Sequence, residues 1–557
     1  MIRRRAPAWI EALVVTALLV LNGWLYLERL PERVICRPTD GHFSRALHYY
    51  DHLLRGEAPM PAPPLRFQGD DKIVDMESNW QWIQPPLQYA WTARVFGILG
   101  PSLESALRGQ LVFHLLLLLA LYGIGRQLAG FSGGLVALAL ACSSPFLAYY
   151  ARFYAPDFTG TTFVAVSLYA LLHSNRLRDR RWSLGFGFTC GLIALTRWFY
   201  LFYPLAGAVW AVGAEALDAR RSDDGRPRDA LRNGALALGL ATLVAAPWYA
   251  THHASFMLKA SQQMRGAGAP SPPWLTSAVA LSGLLRFAFY QAPLLLAVSL
   301  AGVWTSRRAD DRRFAGLALF VLAGSVVSGV VMVTGVAFFI NYPWRYVLPL
   351  LVFLIPLATL WVNSVGRWAG PLAVMLLALC LLSPMAGILI SRDNPIYYPD
   401  RYWRDGEDRP ERHFMSSSLQ TEILTRPFDE ILDPGFDMGA VARVLRVDPK
   451  RRWSTVCLLG DKTDFLNEVT ISEAYKIGKR IEPYSVERVD NVLIMHAPGT
   501  DHQEVLRHMF GTRLQVLETH EFEGTDPRYV LTVCAVRPIA DGGDKSHGWP
   551  GEAMRGR

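Results

Sequence analysis

Four ionisable residues stand at the ends of apolar stretches, where a charge is costly unless something uses it. Asp40 lies in the run Cys36-Arg37-Pro38-Thr39-Asp40-Gly41-His42, after the first apolar segment, and Asp157 closes Ala151-Arg152-Phe153-Tyr154-Ala155-Pro156-Asp157, where another opens. Two carboxylates on one face of a membrane could divide a group transfer between them, one accepting a proton from an acceptor hydroxyl and the other organising the second reactant. Asp157 also has an ordinary use, since an acid in the first turn of a helix is favoured by the dipole. Arg197 ends Gly191-Leu192-Ile193-Ala194-Leu195-Thr196-Arg197, and Arg345 lies in Asn341-Tyr342-Pro343-Trp344-Arg345-Tyr346-Val347-Leu348-Pro349. A guanidinium makes charge-assisted, bidentate bonds to phosphate oxygens, so both suit retention of a phosphate or pyrophosphate leaving group. Their competing use is snorkelling towards lipid headgroups.

His252 and His253 follow Pro247-Trp248-Tyr249 and could bind a metal or serve as an acid. No acid at metal-ligand spacing accompanies them, so loop packing is the stronger account. Nothing else in the chain requires a cofactor or a metal; a divalent cation is the one addition such a site could take. Gly185, Gly187 and Gly191 read as close helix packing rather than as a nucleotide loop.

The elements that must position these residues are membrane helices. Of the 557 residues, 51% are apolar and 19% charged, too hydrophobic for a water-soluble enzyme of this length. Apolar runs place spans near 8–27, 106–125, 131–149, 157–173, 183–196, 198–215, 233–250, 282–303, 314–335, 345–363 and 368–390. The formal charge of +8 is a matter of topology, because the arginines gather at 1–5, 175–181, 218–232 and 306–313, in alternate connections. That is the positive-inside pattern; no basic segment interleaves with aromatics as a nucleic-acid platform would. The first apolar run is long enough to span and lacks a small-residue cleavage site, so it is kept as the first helix, N-terminus in the cytoplasm.

The candidate residues then share the opposite side, in connections 31–105, 150–156, 197, 251–281 and 335–344. Within the first of these, 85–99 is amphipathic and reads as a helix along the membrane surface, with Trp80, Trp82, Tyr89 and Trp91 suited to the interface or to anchoring the loop. From 391 the composition becomes that of a soluble domain. Strands are expected at 454–459, 491–496, 513–517 and 529–536, with a helix at 503–509, making a small α/β module without phosphate loop, serine elbow or metal-ligand spacing. Residues from 541 are Gly-rich and polar, a disordered tail. Cys142, Cys190 and Cys380 lie in apolar segments as small buried hydrophobes, while Cys457 and Cys534 could pair if the module meets an oxidising space. The expected fold is thus a polytopic α-helical membrane protein of about eleven transmembrane helices, residues 1–390, followed by a soluble α/β domain at 391–540 on the non-cytoplasmic side.

In order along the chain, Asp40, Pro85-Pro86-Leu87-Gln88-Tyr89, Arg152 to Asp157, Gly191 to Arg197, Pro247-Trp248-Tyr249 and Arg345 to Pro349 resemble the motifs of the GT-C fold glycosyltransferases that use lipid-linked sugars. The branch resembled is that of the protein O-mannosyltransferases and the lipid A aminoarabinose transferase, over roughly residues 8–365. The resemblance implies an inverting transfer of a sugar from a polyprenyl-phosphate donor to a lipid, glycan or protein acceptor of the cell envelope, at the inner membrane. It makes Asp40 the acceptor-activating base, Asp157 a support of the site, and Arg197 and Arg345 the ligands of the donor phosphate, with Arg152 beside them. Relatives often carry a second acid where Gly41 stands, a lysine where Arg197 stands and another at Gln84. Glu77 and Asp75 are candidate substitutes for the missing acid.

Two other classes fit many helices with a few charges. A transporter or flippase of lipid-linked or small polar substrates predicts internal repeats with broken helices near the midplane, and no convincing repeat is present. A membrane scaffold whose soluble tail binds a partner would not need Asp40 at all.

Overall fold

The structure is a computed structural model that describes residues 8–28, 42–57, 84–152, 154–219, 227–265, 299, 302, 348–360, 436–447, 454–459, 470, 472–479, 481–483, 490–496, 498–499, 501, 503, 506, 514–523 and 530–538. The expected spans at 282–303 (Ser299 and Gly302 apart), 314–335 and 368–390 and the tail from 541 lie outside the described residues.

Helix α1 (Ala8–Glu28) takes the first apolar run. It turns Trp9, Leu13, Val20 and Trp24 outward, which water would penalise and hydrocarbon favours. Two short helices come next, the amphipathic α2 (His42–Arg55) and α3 (Leu87–Leu99), which is apolar without the amphipathic face expected of it and packs on α2 and on the following helix. Helix α4 (Leu103–Ser143) opens on Ser102, whose hydroxyl accepts from the Ser105 N–H. Its 41 residues are two arms, not one rod. Ala129 and Gly130 leave helical geometry, Gly130 with a φ of 70° that glycine adopts freely. A Cβ on Gly134 would meet Tyr122 at 2.7 Å, and one on Gly125 would meet the Gly133 carbonyl at 2.6 Å. Residues eight and twelve apart in a straight helix are about 12 and 18 Å apart, so the arms run antiparallel, matching the expected spans at 106–125 and 131–149. Helix α5 (Pro145–Arg152) prolongs the second arm beyond Ser144.

Helices α6 (Pro156–His173) and α7 (Arg180–Ala194) are joined by a turn in which Asn175, Arg176 and Leu177 all have positive φ. Three such residues are strained unless the surroundings hold them. Asn233 Nδ2 donates to the Leu177 and Arg178 carbonyls at 2.8 and 2.9 Å, and the buried Glu215 carboxylate accepts from Arg178 Nε at 2.8 Å. These partners come from α8 (Phe202–Ala219) and α9 (Pro227–Arg265).

Helix α9 is longer than the span expected at 233–250 and corrects the loop expected from 251: 251–265 continue the helix. The segment holds no glycine or proline before Gly266, and its Ala, Lys, Gln, Met and Arg residues favour helix however polar they are. Of the three glycines expected at close helix contacts, Gly187 and Gly191 are so placed and Gly185 is not, since a Cβ on Gly187 would lie 2.2 Å from the Ala237 carbonyl and one on Gly191 2.7 Å from Val244. A Cβ on Gly185 would meet only the Ala170 methyl, at 4.0 Å. Gly187→Ala is therefore expected to cost about 1–3 kcal/mol through overpacking while Gly185→Ala is neutral within about 0.5 kcal/mol. Thermal unfolding of the two detergent-solubilised variants reads the difference directly. Helix α10 (Leu350–Thr359) packs against α4 and stacks Phe353 on Tyr203.

The module is a five-stranded mixed sheet with helix α11 (Met438–Val444). Its strands are β1 (Ser454–Leu459), β2 (Ile481–Pro483), β3 (Asn491–His496), β4 (Leu514–Glu523) and β5 (Val530–Pro538), in spatial order β2-β1-β3-β5-β4. Strands β1, β3 and β5 fall where expected to within two residues, and β4 starts where expected but runs past 517 to Glu523; β2, three residues long, carries no period to read. Of the helix expected at 503–509, Gln503 and Leu506 are described, both helical. The register rules out the Cys457–Cys534 disulfide: Cys457 is opposite Val492, and Val492 is opposite Cys534. Two inter-strand steps separate the cysteines by about 10 Å, beyond the roughly 7 Å a disulfide allows. Cys534 is a free buried thiol whose pKa burial pushes up. One continuous apolar core runs from the membrane helices into the module, taking in Phe436, Val441, Tyr475 and Val533.

Candidate active site

The site grows from the start of α6. Ala155 is extended, Pro156 takes the first helical position, where its missing N–H costs nothing, and Asp157 follows without capping the helix by its side chain. Instead its carboxylate turns inward and is fully buried. The partner comes from the end of α7: the chain leaves that helix at Leu195, runs extended at Arg197 and turns into a 3-10 segment, Trp198–Leu201. Arg197 Nη2 thereby reaches Asp157 Oδ2 at 2.8 Å, and its Nη1 donates to Gln84 Oε1 at 3.4 Å. The Tyr200 hydroxyl donates to Asp157 Oδ1 at 3.4 Å. Gly160 makes room for it, since a Cβ there would sit 2.8 Å from the Tyr200 ring. The Leu87 N–H bonds the Leu195 carbonyl at 2.9 Å, tying the start of α3 to the same corner.

A second layer covers the pair. From α2, His42, Arg45 and Tyr49 follow helical spacing along a buried face and meet Tyr89 of α3. Arg45 Nη1 donates to His42 Nδ1 at 3.2 Å, which makes that nitrogen an acceptor and places the ring proton on Nε2. The Tyr89 hydroxyl therefore donates to the same Nδ1, at 2.7 Å. Burial pushes the Tyr89 and Tyr49 phenols up, so both stay protonated; for Tyr89 the Arg45 and Arg197 guanidiniums oppose the shift. His42 stacks on Tyr89, Tyr89 on Tyr49, and the Tyr49 hydroxyl faces the indole N–H of Trp248 on α9, on which His252 stacks in turn. An aromatic ladder thus runs from the acid–guanidinium pair to α9. Behind it, Gln88 accepts from Thr159 and donates to Gln110 at 3.3 Å, while Gln110 donates to the Tyr150 and Ala151 carbonyls, which locks α3, α4, α5 and α6 together.

The structure brings Asp157 and Arg197 into one ion pair and puts His252 at the far end of the ladder. Arg152 donates to the Leu25 carbonyl at 3.4 Å and lies over the Tyr26 ring, holding α5 against α1. His253 Nδ1 donates to the Ala250 carbonyl at 3.3 Å. Asp40, Arg345, Glu77, Asp75, Trp80 and Trp82 lie outside the described residues. Tyr89 and Trp91 are not interface rings: Tyr89 is buried, and the Trp91 indole donates to the Gly109 carbonyl at 2.9 Å, because α3 packs inward on α2 and α4. Among the described residues no group of three His, Cys, Asp or Glu is placed to hold a metal ion. Sequence reasoning gave no role to His42, Arg45, Tyr49, Gln88, Trp248 and Tyr200, although His42, Gln88 and Trp248 lie in the motifs quoted above. The spacing of His42, Arg45 and Tyr49 on one amphipathic helix was the available signal for three of them.

The floor and the module are joined here too. The Tyr475 hydroxyl donates to the buried Asp51 carboxylate of α2, and Ser472 Oγ accepts from the Leu103 N–H at 3.2 Å.

The family model for dolichyl-phosphate-mannose-protein mannosyltransferases matches residues 84–222, the segment from Gln84 through α3, Asp157 and Arg197 into the connection after α8. No curated protein matches the sequence. Among solved structures, ArnT from Cupriavidus metallidurans in the apo state is 12% identical with a TM-score of 0.54, over 94% of this chain and 98% of that one. The same protein bound to undecaprenyl phosphate is 14% identical with a TM-score of 0.55, over 95% of this chain and 98% of that one. The likeness is one of fold, and the fold is GT-C.

Proposed function

We propose that the chain is a glycosyltransferase that moves a sugar from a polyprenyl-phosphate donor to an envelope acceptor, a lipid, glycan or protein, on the non-cytoplasmic face and with inversion. The observation that carries this reading is the buried Asp157–Arg197 pair, set within the segment that matches the mannosyltransferase family and in a fold shared with a protein solved with undecaprenyl phosphate. A lipid phosphate leaving group needs positive charge, and a guanidinium fixed by a buried carboxylate supplies it without reorganising at the moment of reaction.

In the proposed reaction an acceptor hydroxyl attacks the anomeric carbon as Asp40 takes its proton. The new oxygen–carbon bond forms opposite the departing one, the bond from that carbon to the phosphate oxygen breaks, and polyprenyl phosphate leaves with the electron pair. Arg197, together with Arg345, holds that phosphate; Asp157 holds Arg197. Nucleotide sugars stay in the cytoplasm, so a site on the other side draws on a lipid-linked donor. The same reading puts the N-terminus in the cytoplasm, about eleven spans in the inner membrane and the sheet module outside.

Mass spectrometry of polyprenyl-phosphate sugars and envelope glycans tests it. A deletion strain is expected to accumulate one lipid-linked sugar and to lose one modified acceptor, which also names both. Profiles identical to wild type would sink the transferase reading. Loss of the modification with no lipid-linked sugar on the outer leaflet would favour a flippase.

A further inference from the structure

Helix α2 is enclosed on two sides that have different partners. Residues 42–49 and Asp51 are all buried, although the helix carries histidines, arginines and an acid. At about 100° per residue, Asp51 lies about 120–180° round the axis from His42, Arg45 and Tyr49. Those three meet Tyr89 beside the acid–guanidinium pair, whereas Asp51 meets the module by accepting from the Tyr475 hydroxyl. Both members of that bond are buried, Asp51 at 2% and Tyr475 at 4% exposure. Adhesion alone would be better served by apolar side chains, which avoid the cost of burying a carboxylate. A hydrogen bond is directional, so this one fixes α2 in rotation and in height.

Behind Tyr475 the module is braced. The helical turn 472–476 ends at Gly478, with a φ of 80°, and Lys479 Nζ donates to the Ala442, Arg443 and Leu445 carbonyls where α11 ends. Arg446, next in the chain, exchanges two bonds with Asn491 at the start of β3, at 2.8 and 2.9 Å. Ser472, on the same turn as Tyr475, takes the Leu103 N–H, so the segment rests on α4 as well as on α2. A run of covalent and hydrogen bonds thus leads from the sheet through Tyr475 to α2, and from α2 to Tyr89.

We propose that Tyr475 and Asp51 are positioning residues for sugar transfer, and that through them the module sets where α2 stands over the site. The inference rests on the transferase reading above and gives the module a task within it. Asp40, the proposed base, precedes His42 by two residues, so the start of α2 fixes its place to within about 7 Å. The Arg197 ion pair is made with α6, not with α2. A displaced α2 therefore disturbs the base more than the phosphate site. Misplacement by about 1 Å can cost about a hundredfold in rate; the loss of one bond with the packing kept is expected to cost about tenfold.

The test adds the purified full chain to membrane vesicles of the deletion strain, with the polyprenyl-phosphate sugars extracted from that strain as donor. Tyr475→Phe removes the donor hydroxyl and Asp51→Ala its acceptor. Each is expected to lower kcat about tenfold and to move the donor KM less than about twofold, and the double variant to lose no more than either single one. Asp51→Asn keeps an oxygen for the hydroxyl and is expected to hold the rate within about twofold of wild type. Hydrogen exchange read by mass spectrometry needs no substrate. In Tyr475→Phe the amides of 42–55 are expected to exchange faster while those of α6 and α7 match wild type, which also shows the variant to be folded. A wild-type rate in Tyr475→Phe, a double variant that loses the product of the single losses, a slowed enzyme with unchanged exchange at 42–55, or exchange that rises along the whole chain would overturn the inference. Faster exchange confined to α2, together with a wild type that transfers no sugar from these lipids, would uphold the coupling of module to α2 and overturn the transferase reading instead.

Discussion

Arg197→Ala is expected to lower sugar transfer by at least about a hundredfold and to destabilise the protein by about 3–5 kcal/mol. The rate loss follows from removing a fixed cation from the place where phosphate charge develops, an effect worth about 10²–10³ for a single preorganised donor. The stability loss has a separate cause. Asp157 is wholly buried, and without the guanidinium its carboxylate keeps only the long Tyr200 contact among those described. The two effects can be pulled apart. Arg197→Met with Asp157→Leu replaces the buried pair by apolar groups of similar volume, and such replacements are often neutral or stabilising. The double variant is expected to unfold near the wild-type temperature and still transfer nothing. If it regained activity, the pair would be a structural bolt and the phosphate assignment would fall. Arg197→Lys keeps the charge but gives up the second bond, to Gln84, so a loss of about tenfold is expected, as transfer in membrane vesicles would show.

Asp40→Asn is expected to lower kcat by about 10²–10⁴, the range a positioned general base contributes. The donor KM should hardly move, because in the proposed reaction Asp40 meets the acceptor hydroxyl and not the donor phosphate. Asp157→Asn should do the reverse in kind, weakening donor retention through Arg197 and raising KM. Steady-state kinetics on membranes containing each variant, with the donor varied, distinguishes them. A full-rate Asp40→Asn enzyme would remove Asp40 from the chemistry and turn attention to Asp75 and Glu77.

Much of the helical scaffold was legible because a bilayer imposes a length. The apolar runs at 8–27, 106–125 and 157–173 became α1, the first arm of α4, and α6, with ends shifted by a few residues. The same reasoning failed at 251–265. There the helix runs on through polar residues that hydropathy reads as loop, although their helix propensity is high. In the site, Asp157 and Arg197 were each visible as charges at the ends of apolar runs. That they bind each other was not, because they stand 40 positions apart and the chain between them folds into two helices whose ends meet only in space. The ladder was hidden for the same reason: His42, Tyr89 and Trp248 belong to three elements far apart in the chain. Tyr89 in particular reads as an interface ring from the amphipathic helix expected there, and only the packing of α2 over α3 encloses it.

The Tyr475 hydroxyl meets Asp51 across 424 residues of chain. Helix α2, which carries His42 and Arg45 over the acid–guanidinium pair, is made early in synthesis, and the group that fastens its far end is made late. Synthesis proceeds at about 5–20 residues per second, so a nascent chain spends tens of seconds with Asp51 lacking its phenol. During that interval the site helix has its membrane floor but not its clasp. Order of synthesis therefore acts as a safety catch: the bundle can assemble first, and the roof of the site is latched when the last domain has folded.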